Sequence, residues 1–315
     1  MSTVTLDNAK VERQPLVSAN SWYEASARQR VEGLLDANSF VEFIGPEMRE
    51  MSPHLALFDL PEQFDDGMVV GLGRIDGAPV LVAAQEGRFM GGAFGEVHGA
   101  KLTGLLRAAR DMASMPVLIL FDTGGVRLQE ANAGELAIAE IMRALMEARF
   151  AGVPVVGLVG GRSGCYGGGG LIAGSCSALA VSEQGRISVS GPEVIETNRG
   201  VEEFDSKDRA LVWRTMGGKH RRLIGGAEVF ADDTIESFRN AARYLIELAP
   251  APTLDTLEAE QARLAQRIHD FGDCADALDI WRSLGASEPE TIPALSYEAF
   301  VALADRLQEP RHDAR

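Results

Sequence analysis

The apolar positions along this chain change period several times, and each change predicts an element. Two runs, MVVGLGRI from Met68 and APVLVAAQ from Ala78, flank Asp76-Gly77, the short turn signal of a β-hairpin. Apolar, strand-length runs recur at VLILFD (from Val117), VPVVGLV (from Val153) and SALAVS (from Ser177), as buried strands require. Between them the period becomes helical. Leu102, Leu105, Leu106 and Ala109 share one face, and Gly134 to Phe150 form an amphipathic helix with Leu136, Ile141 and Leu145 inward. Nearer the start, Ser21-Trp22-Tyr23-Glu24 reads as a capping box that opens a helix carrying Ala25, Val31, Leu34 and Leu35. That helix is expected to end near Asp36 to Asn38. Beyond Gly191-Pro192 the chain is more polar and mostly helical, with turns at Gly217-Gly218 and Gly225-Gly226 and a charged helix from Leu254 to Ile268. The first twenty residues and the closing EPRHDAR are expected to be loosely ordered.

Each strand hands over to a glycine-rich corner, which predicts a layered α/β fold with its loops gathered at one end. Right-handed strand-to-helix crossovers make such units stack in one sense. The corner from Val153 to Gly174, VPVVGLVGGRSGCYGGGGLIAG, is the most pronounced. Glycine is needed where the backbone bends to φ > 0 or where a ligand touches the chain itself. The run Gly167 to Gly170 is read as a loop of bare N–H groups, with the helix beginning at Leu171 to Ala173. Amides that enter a helix N-terminus suit an anion or an oxyanion formed during a reaction. Close packing is the alternative use of the same glycines.

Composition narrows the function. At 315 residues, 46% hydrophobic and 24% charged, the chain is an ordinary globular one with no apolar run long enough to span a bilayer. A net charge of −16 disfavours nucleic acid, whose phosphates call for an excess of Lys and Arg. Cys165, Cys176 and Cys274 form no CxxC pair, so a zinc ribbon is excluded and reduced thiols in the cytoplasm are expected. The N-terminal residues show no signal or transit peptide. Several motifs fail. Gly161-Arg162-Ser163-Gly164-Cys165 ends in cysteine where a nucleophile elbow needs glycine, and Lys219 precedes His220 where a Walker A loop needs Ser or Thr. Gly168 to Ala173 fits the dinucleotide pattern loosely but lacks its acidic ribose partner. The five histidines have no metal-ligand spacing, and no lysine sits between methionines as a biotin site requires. His98, inside a glycine-rich corner, reads either as a proton carrier or as a surface or core histidine.

Taken together, GRFMGGAFGEVHGAK (from Gly87), FDTGGVRLQE (from Phe121), GCYGGGG (from Gly164) and GRISVSGPEVIE (from Gly185) resemble the successive motifs of the acyl-CoA carboxyltransferase family. SARQRVEGLLDANSFVEF also fits the opening helix and strand of such domains. The likeness covers about residues 20 to 240. It implies the crotonase fold, a superhelix of ββα units, over 21–245, with a helical extension over 246–315. The chain lacks the zinc ribbon of bacterial acetyl-CoA carboxylase beta subunits and is about half of a fused two-lobe carboxyltransferase. Within the family it looks most like the beta subunits of biotin-independent malonate decarboxylases. That branch converts malonyl-S-acyl carrier protein to the acetyl thioester and CO2, with a homologous gamma subunit completing the site. A heterodimer that can double is implied. So is a substrate carried on a phosphopantetheine-type arm, derived from dephospho-CoA, with no cofactor bound covalently to this chain and no metal.

The chemistry implied is an enolate held by backbone donors. The resemblance assigns that role to the N–H groups of Gly124, Gly125 and Val126 and of Gly167, Gly168, Gly169 and Gly170. The completing proton is left to water, Tyr166 or His98. Gly91, Gly92 and Arg127 are candidates for holding the arm. Lys207, Arg209, Arg214, Lys219, His220, Arg221 and Arg222 form a basic island in an acidic chain, and Lys207, Arg221 and Arg222 are expected to meet the acidic carrier or its phosphate. A solvated helical face is the competing reading. Three other functions remain open: a carboxyltransferase that hands its carboxyl to biotin, a stand-alone hydratase or isomerase using Glu86, Glu96 or Glu130, and a scaffold without catalysis.

Overall fold

Burial of the run from Val117 on both faces decides the architecture. In a computed structural model describing residues 20–57, 66–112, 115–249 and 251–312, Val117, Ile119 and Phe121 enter one apolar cluster. Leu118 and Leu120 enter another, on the opposite face of the same strand. The chain runs α1 (Ala27–Leu34), β1 (Val41–Glu42), α2 (His54–Leu57), then the hairpin β2 (Met68–Ile75) and β3 (Ala78–Gln85). It continues through α3 (Glu96–Asp111), β4 (Val117–Phe121), α4 (Ala133–Phe150), β5 (Val155–Val159), β6 (Cys165–Tyr166) and α5 (Gly168–Gly174). Next come β7 (Ala178–Ser182), β8 (Ile187–Ser188), α6 (Pro192–Arg199), α7 (Arg209–Met216) and α8 (Gly218–Leu223). The last elements are β9 (Val229–Ala231), α9 (Ile235–Leu248), α10 (Leu254–Phe271), α11 (Ala277–Ser283) and α12 (Tyr297–His312).

Among the described residues the main sheet has the order β1-β2-β3-β4-β5-β7-β9. It is antiparallel through the hairpin and parallel from β3 onward. Asp76 (φ 50°) and Gly77 (φ 81°) both lie in the left-handed region, as the tight hairpin turn demands. After β3, β4, β5 and β7 the chain takes a second short extended step before its helix. Those steps pair in parallel, Phe94 with Val126, Thr123 with Cys165, and β6 with β8. Four ββα turns follow one another, which is the spiral expected from the resemblance. Helices α3 and α4 cover one face, and α1 and α9 cover the other. Trp281, Ile292 and Phe300 of the C-terminal helices join the first of these clusters.

Three expectations are corrected. The capping box is formed by Ser26 and Gln29, at 3.3 and 2.8 Å, and Ala25 precedes the helix. Ser21 still accepts the Glu24 N–H at 3.2 Å, but its hydroxyl donates to Asp233, and the Glu24 carboxylate turns to Arg162. Helix α1 stops at Leu34, because the Asp36 carboxylate accepts the N–H groups of Asp76 and Gly77 in the hairpin turn. Leu136 is 67% exposed rather than inward, while Ile141 and Leu145 are buried. Strand β9 had no counterpart in the sequence reading. The expected looseness of the first twenty residues falls, save for Asn20, outside the described residues. Within EPRHDAR, helix α12 continues to His312.

Arg30 joins α1 to the end of β4. Its guanidinium is buried, donates to Asp122 at 2.9 Å and to the Trp22 carbonyl at 2.8 Å, and faces the Trp22 ring. Arg30→Met strands a carboxylate in the core, and urea unfolding is expected to show a loss of about 3–5 kcal/mol. Asp122→Asn added to Arg30→Met should restore part of that loss. A loss under about 1 kcal/mol for the single variant would contradict the burial of this pair.

Candidate functional site

Two corners meet where β4 and β5 end. The Thr123 N–H donates to the Gly164 carbonyl at 2.8 Å, and the Tyr166 N–H returns to the Thr123 carbonyl at 3.0 Å. This exchange lays the bend after Asp122 beside the bend at Cys165. Gly125 (φ 127°) and Gly167 (φ 56°) then face each other, and a Cβ on Gly167 would stand 3.3 Å from the Gly125 Cα. Both need a backbone that side chains disfavour, and Gly167 needs the space as well.

The glycine run is not the loop expected from sequence. Helix α5 begins at Gly168, so Gly168 to Gly170 form its first turn. A Cβ at Gly168 would meet Ile138 at 2.5 Å, one at Gly169 would meet Thr123 at 2.4 Å, and one at Gly170 would meet the Ser188 carbonyl at 2.5 Å. Close packing explains three of the four. Being first in the helix, their amides have no carbonyl four residues back. The N–H groups of Gly167 to Gly170 donate to no protein partner among the described residues.

At the other corner two candidate donors are lost. The Gly124 N–H donates to the Gly91 carbonyl at 2.8 Å, and the Gly125 N–H donates to Thr123 Oγ1 at 3.1 Å. These bonds shape the bend. The Val126 N–H has no protein partner among the described residues, although Phe94 brackets it by donating to the Gly125 carbonyl and accepting from Arg127. The open amides therefore come from Val126 and from the start of α5.

Asp122 is the post behind both corners. Its carboxylate accepts the Ser163 N–H at 2.7 Å as well as Arg30, and a Cβ on Gly87 or Gly161 would lie within 2.5 Å of it. Gly92 (φ 66°) presses on the same residue, since a Cβ there would fall 1.7 Å from the Asp122 carbonyl oxygen. Gly92 is thus a packing glycine, and Gly91, whose Cα faces open space, holds Gly124 through its carbonyl. Sequence reasoning overlooked Arg30, Asp122 and Thr123. A signal existed in an arginine on the apolar face of Ala27, Val31 and Leu34, and in an aspartate closing a wholly apolar strand.

The side-chain candidates resolve unevenly. Arg127 is buried, donating to Glu130 at 3.0 Å and to the Asp66 carbonyl and stacking over Phe89, which removes it as a phosphate contact. Glu130 also accepts the Glu96 N–H at 2.5 Å, Glu96 bonds Ser52 and His54, and Glu86 accepts the Ala27 N–H. Glu86, Glu96 and Glu130 are therefore each engaged within the fold. His98 lies within α3 rather than in a loop, fully buried edge-on to Phe94, with neither ring nitrogen hydrogen-bonded among the described residues. Burial, with Arg127 and Lys101 nearby, pushes its pKa well below 6.5 and keeps it neutral. Tyr166 directly precedes Gly167. Burial raises its pKa and keeps the phenol protonated.

Most of the basic island points inward. Lys219 donates to the carbonyls of Pro293 and Leu295 at 2.9 Å, Arg214 grips Asp276 at 2.8 Å, and Trp281 donates to His220 Nδ1 at 3.2 Å. Arg221 donates to the Ile187 carbonyl, and Arg222 pairs with Asp305. The island fastens the C-terminal helices, which corrects both its expected docking role and the competing solvated face. Lys207 and Arg209 remain exposed.

Exposed apolar residues stand close in the chain to both sets of open amides: Leu128, two residues past Val126, is 81% exposed, and Leu171 directly follows Gly170. Among the described residues no cluster of His, Cys, Asp or Glu could hold a metal ion.

The family described as "Carboxyl transferase domain" matches residues 24–264. The chain is 39% identical over 310 residues to the malonyl-S-ACP:biotin-protein carboxyltransferase of Malonomonas rubra, covering 91% of this chain and 96% of that one. It resembles a chain of a Pseudomonas malonate decarboxylase hetero-tetramer solved with malonate, at 39% identity and TM-score 0.77, covering 84% and 96% of the two chains. A Pseudomonas malonate decarboxylase MdcD–MdcE hetero-dimer gives 36% identity and TM-score 0.64, with 80% and 100% covered.

Two histidines set an acid limit. An unfolded histidine titrates near 6.5, and the folded values of His98 and His220 both lie lower, that of His220 at about 3. Between those values the unfolded chain binds more protons, so their contribution is complete above pH 6.5 and is lost as pH falls. Each can supply a slope of up to about 1.4 kcal/mol per pH unit in that window. Urea unfolding at about pH 7.5 and about pH 5.5 should show a large difference that shrinks in His98→Leu and in His220→Gln. Equal slopes in all three proteins would count against two buried neutral rings.

Proposed function

The chain belongs to the carboxyl transferase domain family and has its crotonase-like fold, and from that premise we propose that it is the beta-type subunit of a malonyl-thioester decarboxylase. The observation that carries this reading is its likeness to the Pseudomonas malonate decarboxylase chain over nearly the whole of that chain. The substrate would be malonyl-S-acyl carrier protein, and a homologous gamma subunit would complete the site. The exposed Leu128 and Leu171, next to the corners in the chain, give such a subunit apolar groups to cover. A heterodimer, free to double, is the assembly this implies. With no helix among the described residues long and apolar enough to cross a membrane, we place the reaction in the cytoplasm.

The chemistry needs no nucleophile. As the bond from the α-carbon to the carboxylate breaks, its electron pair moves to the thioester carbonyl, CO2 departs, and negative charge collects on the thioester oxygen. The open amides of Val126 and of Gly167 and its neighbours are the donors for that oxygen, each worth about 3–4 kcal/mol in a dry site. Holding the breaking bond perpendicular to the carbonyl plane lets the electrons enter the enolate directly. The departing carboxylate is left to a second oxyanion hole on the partner. Protonation of the α-carbon then gives the acetyl thioester. His98 is disfavoured as the source, being neutral and enclosed on α3, which leaves Tyr166 or water. The carrier's arm, of the phosphopantetheine type, finds Lys207 exposed, whereas Arg221 and Arg222 are engaged elsewhere.

A second reading has one specific support, the Malonomonas relative named for transfer of the carboxyl group to a biotin protein. Both readings use the same enolate. The subunit complex given malonyl carrier protein should release CO2 without biotin, and strict dependence on a biotinylated acceptor would favour the transferase. Replacing Val126 by its α-hydroxy acid exchanges the donor N–H for an ester oxygen while keeping the side chain. Turnover is expected to drop about 10²–10³-fold with assembly and KM little changed. Undiminished turnover would remove the Val126 amide from the oxyanion hole.

A further inference from the structure

Directly after the open Val126 amide in the chain come two charged side chains that are almost wholly buried. Arg127 and Glu130 are 2 and 0% exposed and pair at 3.0 Å. Each has a second arm. The other Glu130 oxygen accepts the Glu96 N–H at 2.5 Å, at the first residue of α3, where Gly95 has no side chain to cap the helix. A Cβ on Gly95 would lie 2.4 Å from that oxygen and 2.6 Å from Arg127 Nη1, so the pair fills the place of the missing side chain. The other Arg127 nitrogen donates to the Asp66 carbonyl, just ahead of β2, and the guanidinium lies over the Phe89 ring at 5.1 Å. On the backbone, Phe94 donates to the Gly125 carbonyl at 2.7 Å and accepts from the Arg127 N–H at 2.9 Å. Those two bonds set Val126 against residue 94 only. The ion pair ties both stretches to α3 and to the start of β2, which are rigid elements. Ala131, directly after Glu130, is held at φ 47°, a conformation that alanine keeps only where its surroundings are fixed.

Stability alone does not call for such a pair, since apolar side chains of similar volume often serve a core equally well. What the pair supplies is a defined geometry. We propose, resting on the reading of Val126 as an oxyanion donor, that Arg127 and Glu130 are positioning residues whose ion pair sets the Val126 N–H where the thioester oxygen gains its charge. Being buried, both act through the backbone and not on substrate. A donor of this kind works chiefly in the transition state, and a displacement of about 1 Å costs on the order of 10²-fold in rate. The pair therefore governs kcat and leaves KM to the rest of the site. Size and shape are not enough for the role. Glu130 must accept on both oxygens, from a guanidinium on one side and from a helix amide on the other. A glutamine of the same size turns its NH2 group against one of those two donors.

A double-variant cycle on the assembled subunit complex is the test, combining Glu130→Gln with replacement of Val126 by its α-hydroxy acid. With the Val126 amide present, Glu130→Gln should lower kcat about 10–100-fold and change KM by less than about twofold. With the ester in place the N–H is already gone, and Glu130→Gln should then lower kcat by less than about twofold. A pair that merely holds the fold together would cost the same factor in both backgrounds, and that result overturns the proposal. So does a Glu130→Gln complex whose kcat is unchanged. An ester that turns over undiminished is a different failure, because it removes Val126 as a donor and the role of the pair with it. Arg127→Lys keeps a positive charge against Glu130 but cannot fork to the Asp66 carbonyl as well. It should show the same non-additivity with a smaller loss in kcat, about 3–10-fold, and it carries the cycle if Glu130→Gln fails to assemble.

Discussion

The ion pair between Arg30 and Asp122 is the constraint on which the rest of the molecule depends. Neither group reaches water, so each is tolerable only because the other is present and because further hydrogen bonds complete it. Arg30 spends its remaining donors on the Trp22 and Tyr23 carbonyls, and Asp122 takes the Ser163 amide. One carboxylate thereby ties together the opening helix, the end of β4 and the loop after β5. Gly87 and Gly161 are bare because that carboxylate occupies the place of their side chains. With Asp122 fixed, Thr123 has a single path to Gly164 and Tyr166, and the two corners are brought to contact distance.

How much of this the sequence disclosed depends on whether the deciding contact was local. The hairpin was legible because Asp76-Gly77 must adopt left-handed angles wherever it stands, and the buried strands because an apolar run of that length has few other uses. The two serines near the start show the opposite case. Ser21-Trp22-Tyr23-Glu24 and Ser26-Ala27-Arg28-Gln29 both carry the capping signature, and an aspartate more than two hundred residues away, Asp233, engages the first. Leu136 followed the helical period but fell on a side that no element among the described residues covers. The glycine corners were readable as corners. Which of their amides stay open was not, since that turns on where the Gly91 carbonyl and the Thr123 hydroxyl lie.

The basic island shows the same limit from the side of charge. A cluster of Lys and Arg in an acidic chain invites an acidic partner, yet the partners here are mostly carbonyls and carboxylates of the chain's own end. Lys219 is held under the Pro293 and Leu295 carbonyls, and burial keeps His220 neutral so that it can accept from Trp281. Arg221 carries the link inward to the Ile187 carbonyl in β8. The neighbouring Ser188 carbonyl is the atom that forces residue 170 to be glycine. The C-terminal helices are therefore mechanically connected to the first turn of α5. Loosening them should be felt at the corner as well as in stability.

Engaged and open amides at the corners have complementary roles. Gly124 and Gly125 give their N–H groups to the fold and so hold a bend that no other residue type takes easily. Because that bend is held from within, the next amide, at Val126, needs no internal acceptor and stays open. Across from it, the first turn of α5 leaves its amides open for a different reason, the geometry of any helix start. Open amides at a surface ordinarily belong to water. Here the exposed Leu128 and Leu171 stand one or two residues from them along the chain, so part of the neighbouring surface is apolar. Covering the corners would dry these amides and strengthen them together as hydrogen-bond donors.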